Sequence, residues 1–129
     1  MMSDTATMSR AEAVRRHMEA TAVDEDAAHA IYHDDAVLEF PQSGERFEGV
    51  ANFRAWREQY PGKVRLDVRE IRGCGDIWVG ECGVSYDGGP WQPGLAILEF
   101  RGDKVSRETI YVAEPFEAPA WRAQYRATP

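Results

Sequence analysis

Cysteine is scarce in this chain of 129 residues, which contains only Cys74 and Cys82. If residues 76–82 form one strand, at about 3.3 Å per residue the two lie on the order of 20 Å apart. A disulfide tolerates at most about 7 Å between Cα atoms. We therefore expect two reduced thiols and no disulfide within the chain, as is usual for a cytoplasmic protein.

Several other signals are missing. No window approaches the run of about 18 apolar residues that spans a membrane. The N-terminus, MMSDTATM, has no basic region followed by an apolar run, so we expect no signal peptide, no membrane partner and a cytoplasmic location. The sequence also has no nucleotide-binding loop, no ordered Ser-His-Asp set and no glycine-rich phosphate cradle, and we predict no cofactor.

Basic residues are outnumbered as well. The chain has 15 Lys and Arg against 22 Asp and Glu, which gives a net charge of −7. Nucleic-acid partners require a basic surface that neutralises phosphates, so this class of partner is excluded. The 43% of apolar residues and 29% of charged residues are typical of a globular protein. We expect a disordered tail over residues 1–8 and one domain over residues 9–129.

The apolar pattern changes period along the chain. Helical spacing predicts helices that begin at Ser9 and Asp24 and a third over residues 50–60, before Pro61-Gly62. A short strand and hairpin over residues 36–48 precede the third helix. Strands are predicted from Val64 and over residues 77–86, 94–101 and 105–113, and a short helix near Pro119. Three helices followed by antiparallel strands indicate an α+β fold.

Two segments carry a family resemblance. Residues 33–49 read HDDAVLEFPQSGERFEG, a strand stopped by Pro41 and followed by a turn and a helix; residues 114–125 read EPFEAPAWRAQY. Together they resemble SnoaL-like proteins of the nuclear transport factor two-like superfamily, relatives of polyketide cyclases and ketosteroid isomerases, over residues 9–126. The resemblance implies a cone-shaped, curved antiparallel sheet wrapped around the three helices, with an apolar pocket inside.

The resemblance also implies where catalytic groups would lie. The isomerase base would fall at Phe40, its oxyanion-binding Asp at Ala96 and its Tyr at His17, while the cyclase acid/base Asp would fall at Ile110. Three carboxylate positions are thus apolar, so the known isomerase and cyclase mechanisms are not expected here.

Glu108 and His17 are the remaining candidates for chemistry. If Ile110 points inward, alternation along the strand turns Glu108 and Val112 inward as well, and Glu114 too if the strand extends that far. A carboxylate inside an apolar cone needs a donor, and His17, one turn from Val14, is placed to supply it. Such a pair can act as a general base with an orienting carboxylate, or it can be a hydrogen-bonded structural pair without turnover.

Aromatic and apolar residues define a predicted ligand site. Most aromatic side chains are expected in the core, whereas Trp91 lies on a Gly/Pro-rich loop where it could line a pocket mouth. His29 and His33 have a spacing compatible with zinc, but they lack the glutamate of the H-E-x-x-H motif, so no metal site is predicted. The predicted ligand-binding residues are Tyr32, Phe40, Trp56, Trp91, Ala96 and Ile110.

Three functions remain open. The chain is a pocket protein for a hydrophobic or aromatic metabolite, a cofactor-independent cyclase, isomerase or hydratase using His17 and Glu108, or a dimeric interaction module with a filled cone. Residues 95–100, LAILEF, are apolar on both faces of their strand. Either the C-terminal helix covers the outer face or a second subunit does, and we expect a homodimer.

Overall fold

The computed structural model describes residues 8–128. The tail predicted for residues 1–8 lies outside this range except for Met8. Two helices precede the first strand, α1 (Arg10–Ala20) and α2 (Glu25–His29), and a third, α3 (Val50–Glu58), lies between the second and third strands. The strands are β1 (Tyr32–Phe40), β2 (Glu45–Glu48), β3 (Val64–Cys74), β4 (Ile77–Tyr86), β5 (Gln92–Arg101) and β6 (Lys104–Val112), and a 3₁₀ helix spans Ala120–Tyr125.

Side-chain caps start the first two helices where the sequence predicts them. The Ser9 hydroxyl accepts a hydrogen bond from the Glu12 N–H at 3.1 Å, and Asp24 accepts one from the Ala27 N–H at 3.1 Å. Each cap satisfies a backbone donor that has no partner inside its helix. Helix α2 ends at His29, and Tyr32, a predicted ligand-binding residue, begins β1 and is buried.

All six strands form one curved sheet in the order β2-β1-β6-β5-β4-β3. Four neighbouring pairs are antiparallel, while β1 and β6 run parallel. No helix interrupts residues 76–101. The α+β cone is therefore confirmed, with one parallel pair inside a mainly antiparallel sheet.

The helices pack on the concave face of this sheet. A Cβ atom on Gly80 of β4 would overlap Sδ of Met18, so a larger residue at position 80 would require the Met18 side chain of α1 to move. The largest apolar side chains that are fully buried between the two layers are Phe53, Leu38, Leu98, Val14 and Val105. These residues belong to one apolar core cluster between the helices and the sheet.

The two cysteines are free; Cys74 is exposed and Cys82 is buried. Within residues 8–128, no helix has the length and apolar character needed to cross a membrane.

Candidate functional site

A cavity of about 930 Å³ lies between the helices and the concave face of the sheet. Its walls are mainly apolar and are supplied by Phe40, Phe47, Trp56, Leu66, Val84, Ala96, Ile110 and Val112. Its exposed rim includes Gln42, Ser43, Glu45, Asn52 and Tyr60. The cone is therefore hollow and reachable from solvent at one end.

Four polar side chains meet beside this cavity, and we call them the polar cluster: His17, Tyr32, Arg57 and Glu108. His17 lies on α1 one turn after the buried Val14, so it faces the sheet. Glu108 lies on β6 in register with Leu38 and Leu98, and it points inward with them. His17 is 3% exposed and Glu108 is 2% exposed. Burial to this degree requires partners for both polar groups.

Hydrogen bonds orient the imidazole of His17. Its Nδ1–H donates to the carbonyl oxygen of Ala28 at 2.6 Å, because that oxygen can only accept. Nε2 is left facing the cluster, 3.4 Å from Oε2 of Glu108 and 3.4 Å from the Tyr32 hydroxyl. The backbone of α2 therefore fixes which nitrogen of His17 meets the carboxylate.

Glu108 is the anion of the cluster. Burial alone would raise the pKa of its carboxyl, but His17, the Arg57 guanidinium and the Tyr32 hydroxyl outweigh burial and lower that pKa to about 2. The Tyr32 hydroxyl donates to Oε1 of Glu108. Burial, and then the nearby Glu108 charge, raise the pKa of Tyr32, so its hydroxyl keeps its proton and remains a donor.

Arg57 is a cluster member that the sequence analysis missed. Its Nη1 donates to the Tyr32 hydroxyl and to Nε2 of His29, both at 3.3 Å, and its Nη2 lies 3.9 Å from Oε1 of Glu108. The signal that could have found it is spacing, since Arg57 comes four residues after the fully buried Phe53 on the same helix. A cation on an apolar helical stripe must find partners inside.

His29 enters the site as a neutral acceptor. Its Nδ1–H donates to the Glu25 carbonyl oxygen at 2.8 Å, and its Nε2 accepts from Arg57. Burial is the largest cause that lowers the pKa of His29, and the Arg57 charge acts in the same direction. His33 lies apart on β1 and bonds the Arg101 carbonyl oxygen, so the two histidines do not share a helical face.

The structure brings most of the predicted residues together. Phe40, Trp56, Ala96 and Ile110 line the cavity, and Ala96 and Ile110 are direct partners across β5 and β6. Tyr32 lies behind the wall with its hydroxyl in the polar cluster. The catalytic role suggested for His17 and Glu108 remains a prediction.

Trp91 is not brought to this cavity. A Cβ on Gly83 would lie 3.2 Å from its ring, and Gly83 faces away from the cavity, because its neighbours Cys82 and Val84 line that cavity. The Arg65 guanidinium lies 5.5 Å from the centre of the Trp91 ring on the same outer side. Trp91, expected at a pocket mouth, therefore does not line this cavity, and its role in ligand binding stays a prediction. Glu114, beyond the end of β6, is exposed.

The part of the chain that the structure describes has no cluster of metal ligands, and the thiol of Cys82 in the cavity wall is not activated. Among residues 8–128, no three His, Cys, Asp or Glu side chains are grouped as metal ligands. Cys82 lines the cavity, but burial raises the pKa of its thiol to about 11, so it stays protonated near neutral pH.

Comparison with solved structures finds the same fold. A nuclear transport factor 2-like protein of unknown function from Burkholderia xenovorans LB400 shares 45% identity, with 92% of this chain and 93% of that chain covered and a TM-score of 0.84. A protein from Kribbella flavida DSM 17836, provisionally named a ketosteroid isomerase, shares 24% identity, with coverage of 100% and 94% and a TM-score of 0.83.

A more distant relative is a provisionally named polyketide cyclase from Sinorhizobium meliloti. It shares 20% identity, with 83% of this chain and 98% of that chain covered and a TM-score of 0.67. No curated protein matches the sequence. The profile of the SnoaL-like domain matches residues 8–108, most of the chain. That match, on a chain that folds as a hollow α+β cone, shows that the protein belongs to the SnoaL-like domain family.

Proposed function

We propose that this protein binds a small hydrophobic or aromatic metabolite inside its cone. The observation that carries the proposal is the cavity of about 930 Å³, whose walls are mainly apolar and whose rim is exposed. Small-molecule sites are typically clefts of about 300–1,000 Å³ with apolar walls and a few placed polar groups. This cavity has that size and combines its apolar walls with the polar cluster.

The hollow cone counts against a function carried only by the outer surface. An interaction module that uses only its exterior has no need of a void, and packing such a void would stabilise the domain. Here the cavity is retained although ionisable groups are buried beside it. Ligand binding accounts for both features.

An acid–base enzyme is the alternative, and the contact between His17 and Glu108 is the observation that favours it. Relatives with names that refer to ketosteroid isomerase and polyketide cyclase suggest an isomerisation or a cyclisation. However, Nδ1 of His17 is bonded to the Ala28 carbonyl oxygen and its Nε2 faces Glu108 and Tyr32, so both nitrogens of the candidate base are directed at protein groups. We therefore place binding ahead of turnover.

Binding can be tested with N-phenyl-1-naphthylamine, a neutral fluorescent probe of apolar sites. We expect the wild-type protein to bind it with enhanced fluorescence. Ala96→Phe would fill the cavity and should weaken binding at least about tenfold, because the larger ring occupies the space of the probe. Ala55→Phe, at an exposed position of α3, is the matched control and should bind normally. A folded wild-type protein that does not bind the probe would contradict the proposal.

We also propose that the protein forms a homodimer through the outer face of β5. Leu95 and Ile97 point away from the concave face, since Ala96 and Leu98 between and beyond them are buried inside. Both remain partly exposed, and the helix Ala120–Tyr125 has no buried residue with which to cover them. A second copy would remove this apolar surface from water. The two free cysteines support the cytoplasmic location that we propose.

A further inference from the structure

The cavity wall contains one cation whose hydrogen-bonding capacity is only partly used. A guanidinium carries five N–H donors. The two on Nη1 of Arg57 are taken by Tyr32 and His29. Among the described residues, the N–H groups of Nε and Nη2 have no hydrogen-bond acceptor, since Oε1 of Glu108 lies 3.9 Å from Nη2. The side chain of Arg57 keeps 15% exposure and lines the cavity.

The other polar groups of the cluster are already engaged. Glu108 is in contact with Tyr32 and His17, and Nδ1 of His17 is bonded to the Ala28 carbonyl oxygen. His29 uses one nitrogen for Glu25 and the other for Arg57. What the polar cluster can offer to a ligand is therefore a positively charged donor.

The shape of the free donors narrows the ligand chemistry. Nε–H and one N–H of Nη2 project from the same edge of the planar guanidinium, which matches the two oxygens of a carboxylate. The contacts through Nη1 hold that plane in place before any ligand arrives. Trp56, the residue before Arg57, lines the cavity beside it, with its ring centre 5.9 Å from the guanidinium carbon. A charged head next to apolar walls suits an amphipathic acid.

We propose that the ligand is an apolar carboxylic acid whose carboxylate binds the Nε–Nη2 edge of Arg57 while its hydrocarbon or aromatic body occupies the apolar part of the cavity. This inference rests on the proposed function and adds the head group to it. Arg57 is then a specificity-determining residue, because it favours acids over neutral compounds of the same shape. Tyr32 and His29 keep it oriented through Nη1.

The test compares two probes that differ only in charge, 2-naphthoate and 2-naphthamide, by isothermal titration at neutral pH. The wild-type protein should bind 2-naphthoate at least about tenfold more tightly, since charge-assisted hydrogen bonds exceed neutral ones. Arg57→Gln should abolish this preference and change 2-naphthamide affinity by less than about threefold. Arg54→Gln, the same change at an exposed ion pair of the same helix, should keep the preference.

The outcomes separate this inference from the proposed function. Equal binding of the two probes by the wild-type protein would overturn the carboxylate and leave pocket binding intact, whether or not Arg57→Gln folds. A preference that survives in folded Arg57→Gln would overturn the role of Arg57. If neither 2-naphthoate nor 2-naphthamide binds but N-phenyl-1-naphthylamine does, the proposal that the ligand carries a carboxylate is again overturned. If none of the three binds, the proposed function fails together with this inference.

Discussion

The hydroxyl of Tyr32 donates a hydrogen bond to the carboxylate of Glu108, across 76 residues of sequence. Tyr32 opens β1 and Glu108 lies within β6, so the bond joins the only parallel pair of the described sheet. Both side chains are almost completely buried. The carboxylate is thereby held as an anion inside the cone by groups from α1, β1 and α3.

Glu108→Gln should destabilise the protein strongly. The change removes the buried anion and leaves the Arg57 charge and His17 without it, for which a cost of about 3–5 kcal/mol is typical. Urea unfolding measures this loss, and Glu81→Gln, half-exposed on β4, should change stability by less than about 0.5 kcal/mol. If the His17–Glu108 pair is structural, the folded Glu108→Gln variant should bind the naphthylamine probe nearly as well as the wild type. If it is catalytic, turnover should vanish while the fold persists.

Tyr32→Phe should also destabilise the protein, but less than Glu108→Gln does. It removes one hydroxyl that donates to Glu108 and accepts from Arg57, and leaving such buried groups without their partner costs about 1–3 kcal/mol. Its free energy of unfolding should therefore lie between those of the wild type and Glu108→Gln. A variant as stable as the wild type would show that the hydroxyl contributes nothing to holding the carboxylate.

Lowering the pH should remove the contribution of Glu108 to the stability of the folded protein. Its pKa is about 2 in the folded protein against a usual value of 4.5, so the stabilisation is complete above about pH 4.5 and is lost as pH falls towards 2. The difference in unfolding free energy between wild type and Glu108→Gln should shrink over that range by on the order of 3 kcal/mol. His29, whose pKa is lowered, causes a separate loss below about pH 6.5, which both proteins share. A constant difference across this range would contradict the buried anion.

Ile97→Lys should produce a monomer. Sedimentation velocity at micromolar concentration should give twice the chain mass for the wild type, because a second copy should cover the apolar outer face of β5. A lysine at position 97 would bury a charge without a partner and prevent that contact. Ala55→Lys, on an exposed helical position, should remain dimeric. A wild-type protein that stays monomeric at high concentration would refute the interface.

The elements of the fold could be predicted from the sequence, because the period of the apolar residues and the helix caps are local signals. Ser9, Asp24 and the alternation after Val64 identify their elements within a few residues. Glu108 and His17 could be paired because strand alternation and helical spacing determine which way a side chain points. Arg57 was missed because its role depends on partners in other elements. The side chain of Trp91 could not be placed, because a loop has no hydrophobic period that indicates where a side chain points.

The position of β6 has a consequence for synthesis of the chain. This strand comes last but lies between β1 and β5, so the β2-β1 hairpin cannot join the rest of the sheet until residue 112 has left the ribosome. Until then, the Glu108 carboxylate of β6 is not available to pair with His17, Tyr32 and Arg57. Assembly of the sheet is thus coupled to the synthesis of β6, and nascent chains that stop before Lys104 lack both the sheet's connecting strand and the counter-charge of Arg57.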